Sequence, residues 1–155
     1  FCYNNRQEYT EILKVVFRYA SGQANDQEYS IGNLMRQALE AFSTFEYRKG
    51  MAEVSCDEKL LETMGNAVYH DYFQNLMYRL VLNGESHMEE RVKAMADPTF
   101  TTNTTVAEKK KIAQDILCMI FLLNKSHIEA HLTEKYPGSM KQIDDWCHKI
   151  LDDNL

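Results

Sequence analysis

Glycine and proline are scarce, at six and two in 155 residues, roughly 5% of the chain against a usual ~12%. So few breakers exclude a collagen-like or low-complexity chain and leave little turn material for a sandwich of many short strands. Positive charge is short as well. Seventeen Lys and Arg stand against 23 Asp and Glu, a net charge of −6, which removes the electrostatic footprint of a nucleic-acid or anionic-membrane binder. No apolar run approaches the ~18 residues of a membrane span; the longest, around Val15 to Tyr19 and Ile116 to Leu123, are extended turns of amphipathic helix. There is no Cys-x-x-Cys pair, no Gly-x-Ser-x-Gly elbow, no phosphate loop and no glycine-rich dinucleotide fingerprint. Zinc-ribbon, thiol-redox, hydrolase and nucleotide-cofactor readings each lose the motif that their chemistry needs. The expectation is a non-enzymatic protein without a cofactor or a resident metal.

What is present is helical periodicity, with apolar residues recurring at three and four rather than at two. Tyr9, Ile12, Leu13, Val16, Phe17 and Ala20 form one helix face ending near Ser21-Gly22. Ile31, Leu34, Met35, Ala38, Phe42 and Phe45 form a second, ending before Gly50. A third stripe runs from Leu60 through Leu61, Met64, Val68, Tyr72, Phe73, Leu76 and Met77 to Leu80, with a break at Gly65-Asn66. Five segments have the capping-box pattern, in which a hydroxyl accepts from a free backbone N–H and an acid or amide three residues on returns the bond. They begin at Ser55, Ser86, Thr105, Ser126 and Ser139. About seven helices in a compact all-α bundle follow, over one domain at 1–155 or two pseudo-repeated lobes at 1–84 and 85–155.

Cys2, Cys56, Cys118 and Cys147 are an even set, too sparse to replace a core but sufficient to supplement one. Three pairings are open. The preferred one, Cys2 with Cys56 and Cys118 with Cys147, staples each end separately, each loop contributing at most about 4 kcal/mol by chain entropy. Four reduced thiols in an intracellular adaptor are the alternative. Asn103-Thr104-Thr105 and Asn124-Lys125-Ser126 are glycosylation sequons, compatible with secretion. The opening Phe1-Cys2-Tyr3 lacks an initiator Met and an apolar leader, as a processed chain or an excised segment would.

His127 and His131 stand four apart on a helix, a spacing that lets two imidazoles share a metal. Ile128, however, occupies the place where a metalloprotease has its Glu. A third ligand would have to come from His148 or Asp144, and exposed helical histidines are the plainer account. Lys109-Lys110-Lys111 and the acid pairs Asp144-Asp145 and Glu89-Glu90 read as solvated faces. Tyr69, Tyr72, Phe73, Met77 and Tyr78 are more than one helix face hides. They are either core with ordinary surface tyrosines or an adaptable binding surface, since Tyr offers a flat contact with a polar tip and Met fills gaps.

Ala41, Thr44 and Tyr47 match Ala130, Thr133 and Tyr136 in register, followed by Gly50 and Gly138, Cys56 and Cys147, and Leu60 and Leu151. In each half a helix ends at a Tyr, a glycine turn follows, and a second helix begins with a Cys near its first turn. The resulting Cys2, Tyr47 and Cys56, then Cys118, Tyr136 and Cys147, resemble the paired cysteine-tyrosine-cysteine motifs of the BICYCLE proteins, a divergent secreted effector family of gall-forming aphids. Cys2 lies much farther upstream of its Tyr than Cys118 does. The resemblance implies a helical, disulfide-bonded salivary protein delivered into plant tissue, with no catalytic site to carry over. The expected function is a secreted binder of a macromolecular partner acting as an effector; the alternative is an extracellular carrier of small apolar ligands.

Overall fold

The computed structural model describes residues 2–23, 31–47, 58–80 and 105–154, with side chains over 7–23, 31–44, 58–77 and 105–154. Seven helices are found among the described residues: α1 Cys2–Ala20, α2 Ile31–Tyr47, α3 Glu58–Glu62, α4 Ala67–Leu80, α5 Val106–Leu123, α6 Lys125–Leu132 and α7 Ser139–Asp153. They form a compact all-α arrangement, with no strand among the described residues.

Helix α1 buries Tyr9, Leu13, Val16, Phe17, Tyr19 and Ala20 and stops where the sequence predicts. Gly22 takes φ +82, and the chain turns back so that Gly22 N–H donates to Tyr19 O and Gln23 N–H to Arg18 O, at 3.0 and 2.8 Å. This left-handed cap is open to glycine at little cost because no Cβ clashes. The predicted break at Gly65-Asn66 is equally local. Gly65 has φ +82, and the Asn66 carboxamide accepts from Val68 N–H at 2.8 Å, separating α3 from α4.

Helix α5 is the hub, packing against α1, α2, α6 and α7. Its buried residues, Ala113 and then Asp115 through Ile120 without interruption, cover more than one face. A helix apolar nearly all round belongs inside a bundle. One core cluster joins Leu13, Val16, Met35 and Phe42 on one side of residue 84 to Ile116, Ile128, Ile143 and Ile150 on the other. Each such side chain contributes about 1.5–3 kcal/mol relative to exposure.

Of the five capping boxes, the one at Thr105 is complete: Thr105 Oγ1 accepts from Glu108 N–H at 3.1 Å and Glu108 Oε2 accepts from Thr105 N–H at 2.8 Å. Two assignments need correction. Helix α6 is capped by Asn124, whose side chain accepts from His127 N–H at 3.1 Å, so Ser126 lies inside the helix. Helix α7 starts after Gly138 with no side-chain cap, and the buried Ser139 hydroxyl, already on helical backbone, has no partner. An N-cap requires non-helical backbone, which Ser139 does not have. The boxes at Ser55 and Ser86, the acid pair Glu89-Glu90, and the sequon at Asn103 lie outside the described residues.

Candidate functional site

Two helix junctions gather the residues that could carry chemistry. The first lies between α4, α5 and α7. The Cys118 side chain, fully buried on α5, faces α7 one turn before Cys147, with its Sγ 3.9 Å from the Ile143 carbonyl. A hydrogen bond with Cys147, followed by burial, pushes the Cys118 thiol far above its ordinary value. Both cysteines are thiols in this structure, without a disulfide between them. The Tyr69 hydroxyl, arriving from α4, donates to the Cys147 carbonyl at 3.0 Å. Burial, with smaller contributions from Cys147, Cys118, Asp144 and Asp152, pushes that phenol from 10.0 up to about 12.

Asp115 lies one turn before Cys118 on α5, its carboxylate 3% exposed. It accepts from the Tyr72 hydroxyl at 2.6 Å and from Lys111 Nζ at 2.9 Å, while the same ammonium stands 5.6 Å from the Tyr72 ring centroid. The carboxylate thus sits where water scarcely reaches it, engaged by a phenol and by the ammonium of a lysine side chain that is 43% exposed. Phe73 closes the junction edge-on against Tyr72, at 5.2 Å and 87°.

The second junction joins α1 and α2 to α6. His127 Nε2 and the Tyr9 hydroxyl share a hydrogen bond of 2.8 Å, and His131 Nδ1 and Thr10 Oγ1 one of 2.7 Å. The two imidazoles are 4.9 Å apart, with Tyr9 edge-on to His131 and Phe42 edge-on to His127. These histidines are half-buried packing groups, not the exposed ones of the plainer account. No cluster of three metal-ligating side chains occurs among the described residues; His148 and Asp144, the distant third ligands, pair with one another along α7.

The described members of the aromatic and Met cluster on α4 are buried or half-buried. Tyr69, Phe73 and Met77 are core residues, Tyr72 is half-buried with its hydroxyl on Asp115, and the Tyr78 side chain lies outside the described residues. The helix packs between two neighbours, so its width of apolar residues is used inward. A cleft of about 350 Å³ beside Tyr72 is lined by Val68, Asp71, Asn75 and Asn154, and another of about 280 Å³ by Glu62, Asn66 and His70 among others. Lys111, its side chain 43% exposed, is also the partner of the buried Asp115. Asn124, the described sequon, spends its carboxamide oxygen on capping α6.

The repeat meets one correction. Tyr136 lies in the turn after α6, half-buried with its ring 5.1 Å from Phe17, but Cys147 lies about two turns into α7 rather than near its start. Residues 48–57 and the side chains of Cys2 and Tyr47 lie outside the described residues, and so does Cys56. Asp115, the deepest polar group of the first junction, was absent from the candidates drawn from sequence. Its signal is a single carboxylate in the apolar run from Ile112 to Leu123 with a lysine four residues before it. No protein-family model, curated protein or solved structure matches this chain.

Proposed function

We propose that this is a secreted, disulfide-bonded, non-enzymatic helical protein that binds a macromolecular partner, as an effector delivered into plant tissue. One observation carries the reading: the groups that could do chemistry are tied to one another inside helix junctions. Asp115 is engaged by Tyr72 and Lys111, His127 and His131 by Tyr9 and Thr10, and Cys118 by Cys147. Such pairing rigidifies a scaffold, and the outer faces of the helices are then left for recognition. The cleft beside Tyr72 has Asp71, Asn75 and Asn154 in its lining, unlike the mainly apolar pocket that a carrier of small apolar ligands needs.

Saturable binding to one component of host extracellular extract, competed by excess unlabelled protein and mapped by cross-linking to one face of the bundle, is the expected result. A stoichiometric lipid retained on the natively isolated protein in native mass spectrometry would defeat this reading in favour of the carrier. Four unreacted thiols on protein taken from its source would remove the secretion argument.

A further inference from the structure

We propose that Cys118 and Cys147 are the two ends of a single cross-link whose redox state is set before α7 docks on α5 and is sealed once it has docked. The inference rests on the disulfide-bonded part of the function proposed above, keeps the Cys118–Cys147 pairing preferred from the sequence, and adds the timing. Partner choice follows from place. Cys118 Sγ lies 3.9 Å from the Ile143 carbonyl on α7, one turn from Cys147, both cysteines are buried, and a hydrogen bond with Cys147 is the largest cause of the raised Cys118 thiol.

Timing follows from burial. Cys118 is 0% and Cys147 1% exposed, so a disulfide reagent meets neither sulfur in the folded chain. Thiol–disulfide exchange also requires a thiolate. A hydrogen bond with Cys147 and burial hold Cys118 in its protonated form, so neither sulfur of the docked pair is accessible and Cys118 is not a nucleophile. Helix α7 is the last described element and packs chiefly on α5, with a smaller contact to α4. Its undocking as a unit is the sub-global opening that exposes both sulfurs at once.

Oxidised glutathione is a sufficient oxidant. A cysteine thiolate, its proton given to solvent, attacks one glutathione sulfur, forming a mixed disulfide and expelling one glutathione thiolate. The second cysteine thiolate attacks the protein sulfur of that mixed disulfide, forming the Cys118–Cys147 bond and expelling the other. Two thiols are oxidised, one disulfide is reduced, and the two protons released are taken up by the two glutathione thiolates.

The test is pulsed alkylation of the reduced, folded, full-length chain with N-ethylmaleimide, followed by denaturation, isotopically heavy reagent and peptide mass mapping. Cys118 and Cys147 are expected to label together, at least about a hundred-fold more slowly than the same cysteines in denaturant. Refolding from denaturant into a glutathione redox buffer is expected to yield a Cys118–Cys147-linked peptide two hydrogens lighter. If the reduced chain does not fold, the linked protein serves instead, and glutathione should reduce it at least about a hundred-fold more slowly than the denatured linked chain.

Labelling of the folded chain at the denatured rate overturns the sealing. Refolding that links Cys118 or Cys147 to Cys2 or Cys56 overturns the pairing, while leaving a disulfide-bonded protein. Four thiols on protein from its source would instead overturn the secreted reading, with slow labelling and the in vitro linkage intact.

Discussion

The thiol and carboxylate junction of α4, α5 and α7 and the histidine junction of α1, α2 and α6 place polar groups at different depths. In the first, a carboxylate and two thiols sit where exposure is 3% or less. In the second, the imidazoles are only half-buried and meet neutral hydroxyls. Depth decides what a broken contact costs. A polar group stranded in the interior keeps its full desolvation penalty, whereas one near the edge recovers water. The first junction should therefore respond more strongly to loss of a partner, and to alkaline pH as well.

The largest effect belongs to the apolar lid of the deeper junction. Phe73→Ala removes a fully buried ring from beside Tyr69 and Tyr72, and should cost about 3–5 kcal/mol in urea unfolding. Tyr72→Phe comes next. It deletes the 2.6 Å donor to a buried carboxylate while keeping the ring, and a bond to a charged acceptor is worth about 1.5–3 kcal/mol. A cost for Tyr72→Phe no greater than that for Tyr9→Phe would break the contrast between the junctions.

Alkaline titration sharpens the contrast and reads the thiol state. The unfolded chain releases the Cys118 proton above its ordinary 9.0, and the folded chain holds it to higher pH. The reduced protein therefore keeps this contribution whole below pH 9.0 and loses it as pH rises, by about 1.4 kcal/mol per pH unit. Once Cys118 is in a disulfide it carries no proton. Of these two groups only Tyr69 then remains, its loss beginning above 10.0 and caused chiefly by burial, without the Cys147 and Cys118 contributions of the reduced protein. Urea midpoints of reduced and oxidised protein between pH 7 and 11 should separate from pH 9 upward. Midpoints that fall together from pH 9 would show that Cys118 is not the group responsible.

Helix positions were legible because periodicity and glycine caps are local: the stripe from Tyr9 to Ala20, its end at Gly22 and the break at Gly65 depend on neighbours in sequence. Capping was legible only in part. Thr105, Ser126 and Ser139 all start the same four-residue pattern, but a cap needs the hydroxyl on non-helical backbone, and only Thr105 has it. Asn124 reached His127 N–H first, and Gly138 placed Ser139 already inside α7. The junctions were the least legible. Which helix lies across from Asp115, or whether His127 meets solvent or Tyr9, depends on packing between residues far apart in the chain, and periodicity describes only one helix at a time.

The smallest effect is the one at the histidine junction. Tyr9→Phe keeps a ring that is 3% exposed and its edge-on contact with His131, and removes only the hydroxyl that meets His127 Nε2 at 2.8 Å. Both partners are neutral when the imidazole is unprotonated, and His127 is half-buried, so water can replace the lost hydroxyl. The expected cost is about 1 kcal/mol in urea unfolding at pH 8, the net value of a hydrogen bond between neutral groups. A second measurement fixes the cause: Thr10→Val at the neighbouring 2.7 Å bond to His131 should cost a similar amount. The double variant should exceed the sum of the two, because the paired rings, 4.9 Å apart, lose both of these hydroxyl restraints together. Strict additivity would mean that each histidine is held independently, and that the junction is two separate contacts rather than one.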